Sequence, residues 1–346
     1  MNKSAALGLL AAGFLMMGTM FAESPAKGVQ VKTDEARRRV DITIDGKPFT
    51  SYLWPEALAK PVLYPLVDGD GVTLTRHRPP KAGERSDHPH HVGLWFNYSN
   101  VNGFDFWNNS EAIKLDRRAK MGSIVFKKID VARSGAKSGE LVTESTWVTG
   151  AGQPVFDETT RFVFSTMGNA RVIDRIATLR ALDRVVFNDD KDGFLGIRVA
   201  SWLESSTATG AVFVDSHGVE TKTAGASPDA TGVYLTSEGK KGDDAWGTRG
   251  RWCELTGHNA DHTATIAIFD HPQNPNYPTW WHARGYGLFA VNPVGRTGFE
   301  PKQSPLNYTL EKGQTAVFRY RIVLYTGTET PEQLNKEADA FAAEYK

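Results

Sequence analysis

The chain has 346 residues and only one cysteine, Cys253, so no intramolecular disulfide can form and a fold of this size must be held by its core. Cys253 follows Trp252 in an alternating apolar stretch, which reads as packing rather than as a nucleophile. It also lies far from the N-terminus, so no lipid-attachment cysteine follows the leader. Charge of one sign is missing too. Forty basic residues balance forty acidic ones, without a long basic run or an acidic tail, which leaves nothing to attract nucleic acid or an anionic membrane surface. No repeat period, no low-complexity segment and no Pro/Gly-rich linker between 110 and 330 interrupts the chain. After residue 22 no apolar run is long enough to span a membrane.

The N-terminus does carry a signal. Lys3 precedes an apolar run from Ala5 to Met17, shorter than a span, with small residues at Ala22, Ser24 and Ala26. Residues 1–22, or 1–26, therefore read as a secretory signal peptide, with a retained anchor as the alternative, and place the mature chain in the periplasm or outside the cell.

Strand patterns dominate the remainder. Arg39–Leu53 alternates around an Asp45-Gly46 hairpin turn, and Val62–Val67 and Val72–His77 flank Asp68 to Gly71. Long β-rich runs follow at 141–148, 155–164 and 171–182, and further strands are expected at 194–203, 210–215, 248–255, 264–269, 285–292 and 316–325. Residues 225–244 read as a surface loop. One helix closes the chain, with Thr330 as N-cap, Pro331 at the first position, Gln333 completing a capping box, and Leu334, Ala338 and Phe341 on one face. The expected fold is all-β, one large antiparallel β-sandwich of supersandwich type over 27–346 with a single C-terminal helix; two smaller sandwiches are the runner-up.

Chemistry concentrates in two stretches. Arg76 to Trp107 (RHRPPKAGERSDHPHHVGLWFNYSNVNGFDFW) holds His77, His88, His90 and His91 beside Arg76, Arg78 and Asp87. Its residues 79–89, rich in proline and glycine, must be loop. Asp270 to Pro301 carries His271, Trp280, Trp281, His282, Arg284, Tyr286, Asn292 and Glu300. Imidazole titrates near neutrality, so such a group can move protons, bind a metal or hold a polar ligand. Both stretches set histidine before a glycine-containing aromatic strand, and the two are expected to converge at one rim of the sandwich.

Tyr52 to Trp107, Gly193 to Ala200, Trp246 to Gly257 and Phe269 to Gly295 together resemble an exported bacterial family labelled methane-oxygenase-like, after one component of particulate methane monooxygenase, or a domain of unknown function. The resemblance implies no agreed catalytic residues. The genuine monooxygenase component is an integral membrane protein, which sits badly with the missing span. The end pattern LEKGQTAVFRYRIVLYTG is similar to sugar-binding sandwiches of the galactose-mutarotase kind, an analogy of fold only.

Three functions fit these residues. The first is a carbohydrate-active isomerase, lyase or hydrolase. In it His88, His90, His91 and His282, with Asp105 or Glu300, move protons, while His77, Arg76, Trp95, Asn97, Asn102, Trp107, Trp280, Arg284, Tyr286 and Asn292 bind the sugar. This reading needs no cofactor. The second is a divalent metal centre drawn from His77, His88, His90 and His282, although positions 92–98 lack the glutamate of a cupin-like site. The third is a non-catalytic glycan-binding protein. All three take a small-molecule or glycan ligand and leave the oligomeric state open. His217, His258 and His262 lie in polar turns and are expected in solvent; Glu158 and Arg161 are expected as cross-strand partners.

Overall fold

A computed structural model describes Met1 and residues 27–81, 84–210, 212–214, 219–222 and 225–345. The leader, its cleavage positions and His217 lie outside the described residues. The strands are β1 (Val29–Asp34), β2 (Arg39–Ile44), β3 (Lys47–Leu53), β4 (Val62–Leu63), β5 (Leu94–Tyr98), β6 (Gly122–Arg133), β7 (Ser138–Thr149), β8 (Pro154–Met167), β9 (Ala170–Ala181) and β10 (Val185–Phe187). They continue as β11 (Gly193–Arg198), β12 (Val212–Val214), β13 (Glu220–Lys222), β14 (Val233–Thr236), β15 (Trp252–Asn259), β16 (His262–Asp270), β17 (Trp280–Arg284), β18 (Leu288–Asn292), β19 (Tyr308–Leu310) and β20 (Thr315–Thr326). Among the described residues the one α-helix is α1 (Pro331–Ala343).

Two antiparallel eight-stranded sheets form the protein. The first runs β1-β2-β3-β4-β5-β11-β18-β17 and the second β14-β15-β16-β20-β9-β8-β7-β6. Alternation makes the sandwich: Leu94, Phe96 and Tyr98 of β5, Leu195 and Ile197 of β11, and Phe289 and Val291 of β18 meet Trp147, Phe162, Leu179, Phe318 and Ile322 of the second sheet in one continuous core. A charged group sits inside it. Arg175 donates to Glu158 at 2.8 Å, which also accepts from Trp147 Nε1 at 2.7 Å, and the guanidinium lies over Phe96 and Phe162. Arg161 pairs instead with Glu140 at 2.5 Å, so the two expected cross-strand residues each take a different partner.

The hairpin turn at Asp45-Gly46 has φ of 51° and 75°, the left-handed pair that a two-residue turn requires. Other expected strands shrink. The Val62–Val67 and Val72–His77 arms keep only two residues of β4 and the isolated bridges Val67–Thr73 and Thr75–Val199. Residues 280–284, where no strand was expected, form the edge strand β17.

Each sheet also buries part of its outer face. Leu334, Ala338 and Phe341 of α1 cover Val172, Trp252, Phe269 and Val323 of the second sheet, and the helix starts with the expected Thr330–Gln333 capping box, a feature worth ~1 kcal/mol. The first sheet is covered by loops instead. Val92, Trp107 and Leu58 pack on Val62, Trp95, Leu288 and Ala290. That loop-covered face carries the histidines.

Candidate functional site

Pairing places Trp95, Gly196, Ala290 and His282 in one row across β5, β11, β18 and β17, all on the outer face of the first sheet. Gly196 is needed there. A Cβ at this position would lie 2.6 Å from Trp95 Cζ2 and 3.1 Å from Trp107, so its absence lets the two indoles close over β11. Trp95 and Trp107 meet edge-on at 5.2 Å.

On this floor stands a stack. His91 lies over Trp95 (4.9 Å between ring centres), His88 over His91 (4.6 Å, planes 6° apart), and Tyr286 over His88 (4.9 Å, 1°). His90 meets His91 edge-on at 4.3 Å. A tight turn makes this possible: His91 N–H donates to His88 O at 2.9 Å, Pro89 supplies the fixed φ at the second position, and His88 itself has φ of 45°. The ends of the turn therefore carry their rings side by side.

Arg76 holds the turn in place. Its guanidinium donates to the carbonyls of Asp87 (2.6 Å), Arg85, His88 and His91 (3.1 Å each) and to the Asp87 carboxylate (3.1 Å). Asp87 also accepts from the fully buried Arg198 at 2.6 Å, and Arg85 donates to Glu204 at 2.9 Å. Burial alone would raise the Asp87 carboxyl, but Arg198, His88 and Arg76 hold it well below the usual carboxylate range. Arg76, expected to contact ligand, is thus spent on the loop backbone.

One wall of a cavity of about 370 Å³ is formed by His90 and His91, with Leu58, Lys60, His77 and Arg78 around it. Burial pushes both imidazoles well below their usual range, and His88 is lowered by the same cause, so His90 and His91 are neutral near pH 7. His90 Nε2 and both ring nitrogens of His91 are buried without a hydrogen-bond partner among the described residues. Lys60 is 3 % exposed; it donates to His90 O at 2.9 Å and lies 5.5 Å from the Trp95 ring centre. Burial pushes its amine down to about 7, with Asp105 opposing and Arg78 adding to the fall. His77 Nδ1 meets Glu84 Oε1 at 2.8 Å on the same wall, and the carboxylate also accepts from the backbone N–H groups of His77 and Lys81.

The second polar stretch reaches this place by one residue. β5 and β18 run in the same direction, being two antiparallel steps apart, so the turn before β18 and the loop before β5 open at one end and Tyr286 meets His88. His282 sits elsewhere. It is three strands from Trp95 in the row, roughly 14 Å at ordinary strand spacing. It is 2 % exposed and packs near Phe299. Its nearest acid is Asp192 at 3.8 Å, and burial lowers it to about 4 against the pull of that carboxylate.

Several expected ligand contacts turn out to be internal. Trp95, Trp107, Trp280 and Trp281 are at most 2 % exposed, so none offers a face to a sugar; Trp95 is covered by His91, and Trp280 is capped by Arg249 and donates to Glu300 at 2.8 Å. Asp105 accepts from the N–H groups of Trp107 and Asn108 in the turn. Asn97 donates to Phe106 O, Asn292 caps the 293–295 turn and reaches Asp190 O, and the exposed Asn102 ties to Arg184 and Val186. Arg284 lines a separate cavity of about 290 Å³ with Thr207, Asp243, Trp246 and Tyr286. His258 is exposed as expected, but His262 bonds the buried Asp68 at 2.7 Å and is not free in solvent. The four histidines of the metal alternative form no common ligand set, and among the described residues no group of three or more His, Cys, Asp or Glu is arranged to hold a metal ion.

Sequence reading missed Lys60, Arg198 and Glu204. Lys60 between Ala59 and Pro61, and Arg198 inside an apolar strand, were the available signals: a charge in a buried pattern demands a partner or a purpose.

A family model for proteins of unknown function, DUF6807, matches residues 39–339. The chain belongs to that family. The match carries no activity and no oxygenase designation. A search of curated proteins found no match. Among solved structures, the galactose 1-epimerase of Lactobacillus acidophilus NCFM is similar over 88% of this chain and 100% of its own, at 10% identity and a TM-score of 0.40. A putative aldose 1-epimerase of Escherichia coli K12 covers 86% of this chain and 99% of its own, at 8% identity and a TM-score of 0.37. A galactose mutarotase-like protein of Clostridium acetobutylicum covers 86% and 98%, at 10% identity and a TM-score of 0.36. At that distance the likeness says nothing about which residues do chemistry. Among the described residues no helix is long and apolar enough to cross a membrane.

Proposed function

We propose that this member of the family is an exported carbohydrate-active enzyme that moves protons on a small hydroxylated substrate held against His90 and His91. The observation that supports this most is the state of those two side chains. They wall a cavity yet keep three buried ring nitrogens without a protein partner among the described residues. Each such atom costs ~1–3 kcal/mol unless a ligand or a water satisfies it. Because burial keeps both imidazoles neutral, each offers one lone pair and one N–H at pH 7. One can take a proton from a substrate hydroxyl or carbon while the other donates a hydrogen bond to the neighbouring oxygen. The cavity of about 370 Å³ lies at the small end of ligand sites, and its polar wall of Lys60, His77 and Arg78 suits hydroxyl groups better than an apolar ring. His77, held by Glu84, is placed to fix one end of such a ligand. Export rests on residues 1–22.

The test is proton exchange. A panel of aldoses and glycosides is followed by NMR for anomer interconversion, deuterium uptake from solvent and bond cleavage. At least one reaction should be accelerated, and His90→Ala or His91→Ala should each slow it ~100-fold or more while the thermal melt stays cooperative. Sugars that bind without any exchange or cleavage would make the chain a glycan-binding protein and end the catalytic reading.

A further inference from the structure

The cavity carries a charge that the acid–base reading leaves unused. Lys60 is buried, and its one hydrogen bond is to a backbone carbonyl; among the described residues no carboxylate oxygen lies within 4.0 Å of its amine. Arg78 lines the same cavity at its exposed side. Its guanidinium donates only to Ala57 O at 3.3 Å, and among the described residues it too has no ion pair. The two cations act on one another, since Arg78 lowers the Lys60 amine. The carboxylate of Asp105 acts on Lys60 more strongly than Arg78 does, and that of Glu111 acts on Arg78, but neither comes within 4.0 Å of its cation. Glu111, at the mouth, is exposed and forms no ion pair within 4.0 Å among the described residues, Asp105 is held by its own turn, Arg76 is neutralised by Asp87, and His90 and His91 are uncharged. Two unpaired cations sharing a small cavity repel each other, and the buried one pays desolvation as well. An anion placed between them offsets the repulsion and gives the buried ammonium a direct counter-charge, at the cost of its own desolvation.

Resting on the proposed sugar site, we infer that the substrate is a sugar acid, whose carboxylate is held between Lys60 and Arg78 while its ring or chain lies against His90 and His91. A carboxylate fits this pair better than a phosphate. Ammonium and guanidinium take either anion, but no helix begins among the cavity's described lining residues to supply the N–H donors that a phosphate's further oxygens need.

Calorimetry of the full mature chain with glucuronate and galacturonate, against glucose and galactose at equal ionic strength, tests this. The uronates should bind at least tenfold tighter than the neutral sugars. Lys60→Met should bring that ratio close to one, and Arg78→Gln, at the exposed mouth where folding is not at stake, should reduce it several-fold. Raising the salt from 50 mM to 500 mM should narrow the ratio. Neutral sugars binding as tightly as uronates would overturn the inference and leave the proton-transfer reading standing, provided that the His90 and His91 variants still stop exchange on those sugars. Tighter binding of glucose 6-phosphate than of either uronate would overturn the carboxylate assignment. Failure of both uronates to bind at 20 mM would overturn it as well, and the exchange assay then decides the catalytic reading by itself.

Discussion

Replacing Lys60 by methionine should stabilise the protein at neutral pH while removing the preference for uronates over neutral sugars. The Lys60 ammonium lies 5.5 Å from the Trp95 ring centre, and burial pushes its amine from 10.5 to about 7. Each pKa unit is worth ~1.4 kcal/mol, so keeping the ammonium in the folded state costs up to ~5 kcal/mol. Methionine keeps the stem and drops the charge. It also strands His90 O, which loses its donor at a cost of ~1–3 kcal/mol. The net gain is ~2–4 kcal/mol at pH 7 and below. Its pH dependence follows from linkage. Between about 7 and 10.5 the unfolded chain holds a proton on Lys60 that the folded chain has released, so the wild type gains stability as pH rises through this window and the variant does not. The advantage of Lys60→Met should shrink by ~3 kcal/mol between pH 7 and pH 9. Urea unfolding followed by the fluorescence of the nine tryptophans, at pH 6.5 and pH 9, measures both values. A difference that does not change with pH would mean that the amine is solvated, and would remove the charge argument for the cavity.

Acid should destabilise the fold through buried imidazoles. His88, His90, His91 and His282 are all lowered by burial, so below an ordinary histidine's pKa of 6.5 the unfolded chain binds protons that the folded chain refuses, and stability falls with pH at up to ~1.4 kcal/mol per unit for each. For His282, lowered to about 4, the loss accumulates between 6.5 and 4 to roughly 3 kcal/mol; His282→Gln should flatten the stability–pH curve in that window, and an unchanged slope would contradict its burial as a neutral ring. Gly196→Ala should cost ~1–3 kcal/mol and weaken ligand binding, because the added methyl displaces the Trp95 indole that supports His91; urea unfolding and calorimetry on one sample would show whether the two losses go together. Protein dialysed against a chelator should retain its ligand affinity, since the histidines do not gather into one ligand set; affinity restored only by added zinc or iron would refute that.

Secondary structure was legible where local chemistry decides it. The Asp45-Gly46 turn, the long strands of the second sheet and the capped terminal helix follow from φ preferences, period-two alternation and side-chain capping, which act within a few residues. The arms at 62–67 and 72–77 had the same alternation but were not regular strands, because their pairing depended on which neighbours the sheet supplied. The aromatic ligands expected at Trp95, Trp107 and Trp280 went the same way. An indole suits a sugar face and a protein core equally well, and only the covering loops determine which one it meets.

What the sequence determined alone was an all-β chain with one terminal helix and a loop in which four histidines, three arginines and an aspartate stand close together along the chain. Tertiary structure decided which of them face a cavity. The direction of β18 relative to β5 brought Tyr286 onto His88 and left His282 three strands away, and the folding of residues 54–61 against Trp95 delivered Lys60, which no motif announced. Such juxtapositions depend on strand order, and strand order is a property of contacts between segments far apart in the chain, which spacing along the chain does not encode.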